Sequence, residues 1–180
     1  MFATSPSNQS NRKQKAVFLD RDGVLNAERG NYTYKVEDFE ICTGAPAALK
    51  MLKEAGFLLI VITNQGGIAK GIYTKQDMLQ CHKKLATETN NLIDAIYYSP
   101  DHPSVSASLS RKPDSLMLEK AIAKFGVDPA ASFMIGDQPR DLEAAAKVGV
   151  KGIKIGLGCD GAVFACSSLL EAAEWILAHN

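Results

Sequence analysis

Short runs of apolar residues alternate along this chain with longer stretches of helical period. The runs AVFL (16–19), FLLIVI (57–62), AIYY (95–98), SFMI (132–135) and GIKI (152–155) predict five strands. They are continuous rather than alternating, which suits strands covered on both faces. Between them, Ala48, Leu49, Leu52 and Ala55 fall on one side of a helix over 45–55, and Gly56 can end it in the left-handed conformation. Thr74, with Asp77 three residues on, is a capping-box-like start for a helix bearing Met78, Leu79, His82, Leu85 and Ala86. Met117, Leu118, Ala121, Ile122 and Phe125 mark a third helix. Leu142, Ala145 and Ala146 mark a fourth, and Leu169, Leu170, Ala173, Ile176 and Leu177 a fifth.

Strand and helix in this order predict an α/β fold: a doubly wound, mainly parallel, Rossmann-like sheet with right-handed crossovers. One segment breaks the alternation. VLNAERGNYTYKVEDFEIC (24–42) is too long for a turn and too short for a domain, and it reads as a β-hairpin flap over the sheet edge. A second irregular stretch, 99–114, follows the third strand. Residues 1–15 are polar and lack the apolar run of a secretory signal, so they read as a disordered arm before a single domain over 16–180. The longest apolar run is far too short to span a bilayer.

Charge narrows the choice of partner. Twenty basic and 20 acidic side chains leave no net charge, so nothing built in attracts nucleic acid or an anionic membrane. Cys42, Cys81, Cys159 and Cys166 form no CxxC pair and no metal-like spacing, which points to reduced thiols in the cytoplasm. The expected partner is a small phosphorylated molecule, bound by a monomer.

In a doubly wound sheet, ligands bind outside the carboxyl ends of the strands. Strand one ends in Asp20-Arg21-Asp22-Gly23 and strand two in Thr63-Asn64-Gln65-Gly66-Gly67. Arg111-Lys112-Pro113 follows strand three, and strand four ends in Gly136-Asp137, with Asp141 four residues on. Any one of these has a plain alternative, since Asp-Gly is a turn signal and acids favour helix starts. Their convergence on one sheet edge fits phosphoryl transfer. A carboxylate attacks phosphorus only when the oxygens around it are neutralised. Magnesium, which prefers a few carboxylate oxygens, suits Asp20, Asp137 and a carbonyl near Asp22. Lys112, with donors from Thr63 and Asn64, could hold the remaining phosphoryl oxygens. Asp22 is placed to protonate the leaving oxygen and then to activate water.

FLDRDG (18–23), VITNQ (61–65), RKP (111–113) and GDQPRD (136–141) together resemble the four motifs of the haloacid dehalogenase superfamily. With FLDRDGVLN, TNQGGIAKG and IYYSPDHP, the chain is most similar to the branch of heptose 1,7-bisphosphate phosphatases, which also includes the histidinol-phosphate phosphatases. The resemblance implies Asp20 as nucleophile, Asp22 as general acid and base, and Thr63 and Lys112 as holders of the phosphoryl group. It implies magnesium on Asp20, Asp137 and the main chain of Asp22, with Asp141 in support, and Arg111 against the substrate. It also implies that there is no large cap domain, in line with the short insertions.

The sequence departs from the branch at two places. The branch usually carries a structural zinc in the loop before RKP, where this chain has Ser99, Asp101, Ser108 and Ser110. Serine is a poor zinc ligand, and His102 alone cannot complete a tetrahedral site, so zinc is not expected there. Gln138 stands where heptose enzymes often have a lysine, which removes a positive charge from the side where a second phosphate would bind. A sugar phosphate or bisphosphate is the leading substrate, with histidinol phosphate as its rival. A polynucleotide 3′-phosphatase is a further alternative, weakened by the neutral charge. A phosphoacceptor receiver shares this kind of sheet but pairs its acids differently.

Overall fold

A computed structural model describes residues 13–158 and 161–180. Six parallel strands form one sheet: β1 (Ala16–Leu19), β2 (Leu58–Asn64), β3 (Ala95–Ser99), β4 (Phe133–Gly136), β5 (Lys151–Ile155) and β6 (Phe164–Cys166). Their order is β3-β2-β1-β4-β5-β6, so the sequence reverses direction beside β1. The five predicted strands are present within one or two residues of their expected bounds. β6 was not foreseen, because a three-residue run carries too little pattern and pairs only once β5 is in place.

Helices α1 (Ala45–Glu54), α2 (Lys75–Glu88), α3 (Leu116–Phe125), α4 (Pro139–Ala146) and α5 (Leu169–Ala178) connect or follow the strands. Thr74 and Asp77 close the expected capping box at the start of α2. Gly56 lies at φ 84° just past α1, a conformation that an L side chain would strain.

The sheet is dry on both sides. Val17, Leu19, Leu59 and Val61 pack with Leu49 and Leu52 of α1 and Ala173 and Ile176 of α5. On the other face Ala16, Phe18, Ile60 and Ile62 pack with Leu118 and Ala121 of α3 and Ala144 and Ala145 of α4. Neighbouring strand residues thus enter opposite cores, which explains the continuous apolar runs. Each fully buried Phe or Ile here contributes roughly 1.5–3 kcal/mol of transfer free energy. The two cores hold the strand tips rigid, and those tips carry the polar residues.

Two expectations change. Residues 24–42 form a flap without a β-hairpin: one antiparallel bridge joins Asn26 to Ile41, and Val36–Asp38 make a single 3-10 turn. The polar groups that would extend a hairpin bond elsewhere, since the Thr33 carbonyl accepts from Arg21 Nη2 and the Val36 carbonyl from Lys84 Nζ. The arm expected over 1–15 is also shorter at its C-terminal end. Gln14 bridges Val127, and the Lys15 carbonyl accepts from Leu58 N–H. Residues 1–12 of that arm, and Cys159, lie outside the described residues. Among the described residues no helix is long and apolar enough to cross a membrane, and Cys42, Cys81 and Cys166 are free thiols.

Candidate active site

The tips of β1, β2 and β4 meet the start of the segment after the 99–110 loop. Lys112 is 1% exposed, and its ammonium lies 2.9 Å from Asp20 Oδ1, 2.7 Å from Asp141 Oδ1 and 2.7 Å from the Ile62 carbonyl. The Ile62 carbonyl accepts a hydrogen bond from the ammonium, and the two carboxylates meet it as ion pairs. Burial works against charge on Lys112, but Asp20 and Asp141 outweigh it and raise its pKa. Asp20 is pushed up to about 7, by burial first and by Asp141 next, while Lys112 pulls it down. Its Oδ1 also accepts from Arg21 N–H at 2.7 Å.

Carboxylate oxygens of Asp20, Asp137 and Asp141 lie within 4.8 Å of one another. Asp137 Oδ1 is buried and has no hydrogen-bond partner among the described residues. Its Oδ2 accepts from Gln138 Nε2 at 2.8 Å. Three close acids, two of them with a buried oxygen that has no hydrogen-bond partner among the described residues, are the donor set a hard divalent cation prefers, so these residues fit magnesium. Asp141, expected only to support the metal from outside, stands in this cluster.

Asp22 points its carboxylate at three donors. Arg21 Nη2 approaches both oxygens, at 2.8 and 2.9 Å, and its Nε reaches Oδ1 at 3.3 Å; Asn26 Nδ2 adds a bond at 3.0 Å and Gln65 Nε2 one at 3.2 Å. Arg21 itself is 1% exposed and sits between the two acids in sequence. Thr63 is equally buried and accepts from Gln65 Nε2 at 2.9 Å.

Asn64 is placed differently from expectation. Its Oδ1 accepts from Lys112 N–H and its Nδ2 donates to the Lys112 carbonyl, each at 3.0 Å. Its carboxamide therefore fixes the lysine's backbone, while the residue also lines the cavity over the site. Arg111 is half-buried and donates Nη1 to the Asp101 carbonyl at 2.9 Å. Burial, and then the neighbouring Arg140 guanidinium, lower its pKa.

A cavity of about 420 Å³ opens over this edge, lined by Asp20, Asp22, Arg111 and Arg140, with Glu28 and Tyr32 from the flap. Sequence reasoning missed Arg140, Arg21 and Gln65. Gln65 and Arg21 lay inside quoted motifs. Arg140 lay inside GDQPRD as well, with the added signal of a cation at a helix start, where the helix dipole disfavours it.

The model of the haloacid dehalogenase-like hydrolases matches residues 7–155. The chain belongs to that family. A D-glycero-beta-D-manno-heptose-1,7-bisphosphate 7-phosphatase of Haemophilus ducreyi is 40% identical over 147 residues, covering 77% of this chain and 80% of that enzyme. The enzyme of the same name from Escherichia coli is 38% identical, covering 76% of each. Among solved structures, a D,D-heptose 1,7-bisphosphate phosphatase from B. bronchiseptica, complexed with magnesium and phosphate, superposes with a TM-score of 0.84 at 27% identity. It covers 92% of this chain and 99% of that one. Like these members of the family, the chain is a phosphatase.

The positions where the branch holds zinc form a hydrogen-bonded group. Ser110 Oγ reaches Ser99 Oγ at 3.0 Å, Asp101 Oδ2 at 3.2 Å and Ser108 Oγ at 2.9 Å. His102 turns away and pairs with Ser104 through Nδ1 at 2.7 Å.

Proposed function

We propose that this chain is a magnesium-dependent phosphomonoesterase acting on a small sugar bisphosphate of the heptose 1,7-bisphosphate type, as a cytoplasmic monomer with one domain over 16–180. The observation that carries this reading is the gathering of Asp20, Lys112, Asp137 and Asp141 at one sheet edge under the cavity. The free thiols support the compartment.

Asp20, Asp137 and the main-chain carbonyl of Asp22 are the groups that would hold magnesium, with Asp141 beside them. When bound, the ion supplies positive charge against the phosphoryl oxygens. Lys112, held between Asp20 and Asp141, supplies further positive charge, and Thr63 a hydroxyl donor. Asp20 attacks phosphorus through the oxygen not held by Arg21 N–H, forming a P–O bond as the leaving oxygen's bond to phosphorus breaks. Asp22 gives its proton to that leaving oxygen. It then takes a proton from water as the water attacks the phosphorus of the aspartyl phosphate, which frees Asp20 and inorganic phosphate.

Two rim guanidiniums favour a second anionic group on the substrate. Arg111 and Arg140 face the same cavity and influence one another, so the charge absent at Gln138 is present two residues later.

Turnover of heptose 1,7-bisphosphate, hexose phosphates, glycerol phosphate and histidinol phosphate, ranked by kcat/KM with magnesium, tests the reading. The bisphosphate is expected to rank first. Asp20→Asn is expected to abolish release and EDTA to stop it. Arg140→Ala is expected to raise KM for the bisphosphate about tenfold, with little change for monophosphates. Full activity in Asp20→Asn, or a flat ranking, would overturn it.

A further inference from the structure

Gln65 is the one buried amide in the site that touches two of its working groups at once. Its Nε2 donates to Thr63 Oγ1 at 2.9 Å and to Asp22 Oδ2 at 3.2 Å, while its Oε1 accepts from the Tyr73 hydroxyl at 2.7 Å. We infer that Gln65 is a positioning residue, which orients the Asp22 carboxylate and leaves the Thr63 hydroxyl hydrogen for the substrate's phosphoryl oxygen. This rests on the roles proposed above for Asp22 and Thr63.

The polarity of the chain of bonds follows from Asp22 in its ionised form. A carboxylate only accepts, so the NH2 end of the amide faces Asp22 and the oxygen faces Tyr73. The reverse orientation would set the amide oxygen against Asp22 Oδ2 and remove one of the donors that hold it, leaving Arg21 alone on that oxygen. Tyr73 fits as the donor, since burial keeps its phenol protonated well above the ordinary range. With Thr63 Oγ1 accepting from Gln65, its own hydrogen has no acceptor among the described residues. That hydrogen is the one a phosphoryl oxygen can take. Asp22 is meanwhile held at Oδ2 by Gln65, at Oδ1 by Asn26 and at both oxygens by Arg21.

The anchor of this chain is built into the fold. Tyr73 is 6% exposed; Tyr34 of the flap stacks on it at 5.1 Å and Tyr32 meets it edge-on at 5.8 Å. Its ring passes so close to Gly67 that a Cβ there would come within 2.1 Å of a ring carbon. The second glycine of the GG pair is thus what lets Tyr73 reach Gln65. The flap and the β2 tip share one connection to Asp22.

The test compares leaving groups. p-Nitrophenolate departs without a proton, whereas the alkoxide of glycerol 2-phosphate needs one, so the ratio of their kcat/KM values isolates proton donation in the phosphoryl-transfer step. Asp22→Asn is the reference and is expected to lose about a hundredfold more with glycerol 2-phosphate than with p-nitrophenyl phosphate. Gln65→Glu keeps the shape but removes both donors. Gln65→Met keeps the volume, and Tyr73→Phe removes only the anchor. The Gln65 variants are expected to lose about tenfold more with the alkyl ester, and Tyr73→Phe about threefold more. A general structural defect would lower both esters together. Equal losses in Gln65→Glu, or no loss, overturn the inference while Asp22→Asn still discriminates. No discrimination in Asp22→Asn overturns the acid role itself, and the inference with it. Gln65→Glu and Tyr73→Phe keep the comparison decisive if the Met variant does not fold.

Discussion

Two polar clusters, one at Lys112 and one in the loop just before it, hold themselves together by bonds of similar length. At the floor of the site, Lys112 meets Asp20 and Asp141 at 2.9 and 2.7 Å, and all three are nearly sealed from water. In the loop before it, Ser110 meets Ser99, Asp101 and Ser108 at 2.9–3.2 Å, with Ser110, Asp101 and Ser108 half open to solvent. The distances do not distinguish the clusters; charge and burial do. Removing a partner at the floor strands buried ions that water cannot reach, whereas a lost hydroxyl in the loop is replaced by water. The floor is therefore all-or-none, and the loop tolerates change.

The sharpest way to break this contrast is Lys112→Met. It leaves Asp20 and Asp141 buried face to face, and we expect a loss of about 3–5 kcal/mol in stability and at least about a thousandfold in turnover. Denaturant unfolding and phosphate release measure the two. A loss as small as that of a loop variant would dissolve the distinction.

His82 lies between the extremes, buried like the floor yet neutral. Burial first, and Arg21 next, lower its pKa from 6.5 to about 4. Below pH 6.5 the unfolded chain takes up a proton that the folded chain refuses. The stability present above pH 6.5 is thus lost as pH falls toward about 4, by roughly 3 kcal/mol at most. Asp20, raised, bends the curve the opposite way, since the folded state then holds the extra proton. Comparing the pH dependence of unfolding for His82→Leu with that of the parent isolates the histidine, and the variant is expected to lose less on acidification. Identical slopes would mean that His82 is more open to water than its burial indicates.

Ser110→Ala is the smallest expected effect, about 1 kcal/mol or less in stability with turnover within about twofold. A floor-sized loss there would show the loop to be as tightly coupled to the site as Lys112.

Much of this was legible in the chain. Continuous apolar runs marked five strands because β1, β2 and β4 are buried on both faces and β3 and β5 partly so, and the acids, threonine and lysine stood where those strands end. The flap, β6 and Asn64 were less legible. Nothing local in GNYTYKVED says that Arg21 will take the Thr33 carbonyl and forestall a hairpin. Asn64 looked like a donor to substrate because its partner, Lys112, is 48 residues away.

By itself the sequence determined which chemical groups arrive at strand ends and in what order, because burial on two faces and helical period are written into composition along the chain. Only the tertiary structure decided which groups touch: that Asn64 serves Lys112, that Asp141 shares the lysine with Asp20, and that Arg140 reaches the cavity. The strand order β3-β2-β1-β4 sets those separations to within a hydrogen bond. At that range, burial and orientation determine what a charge can do.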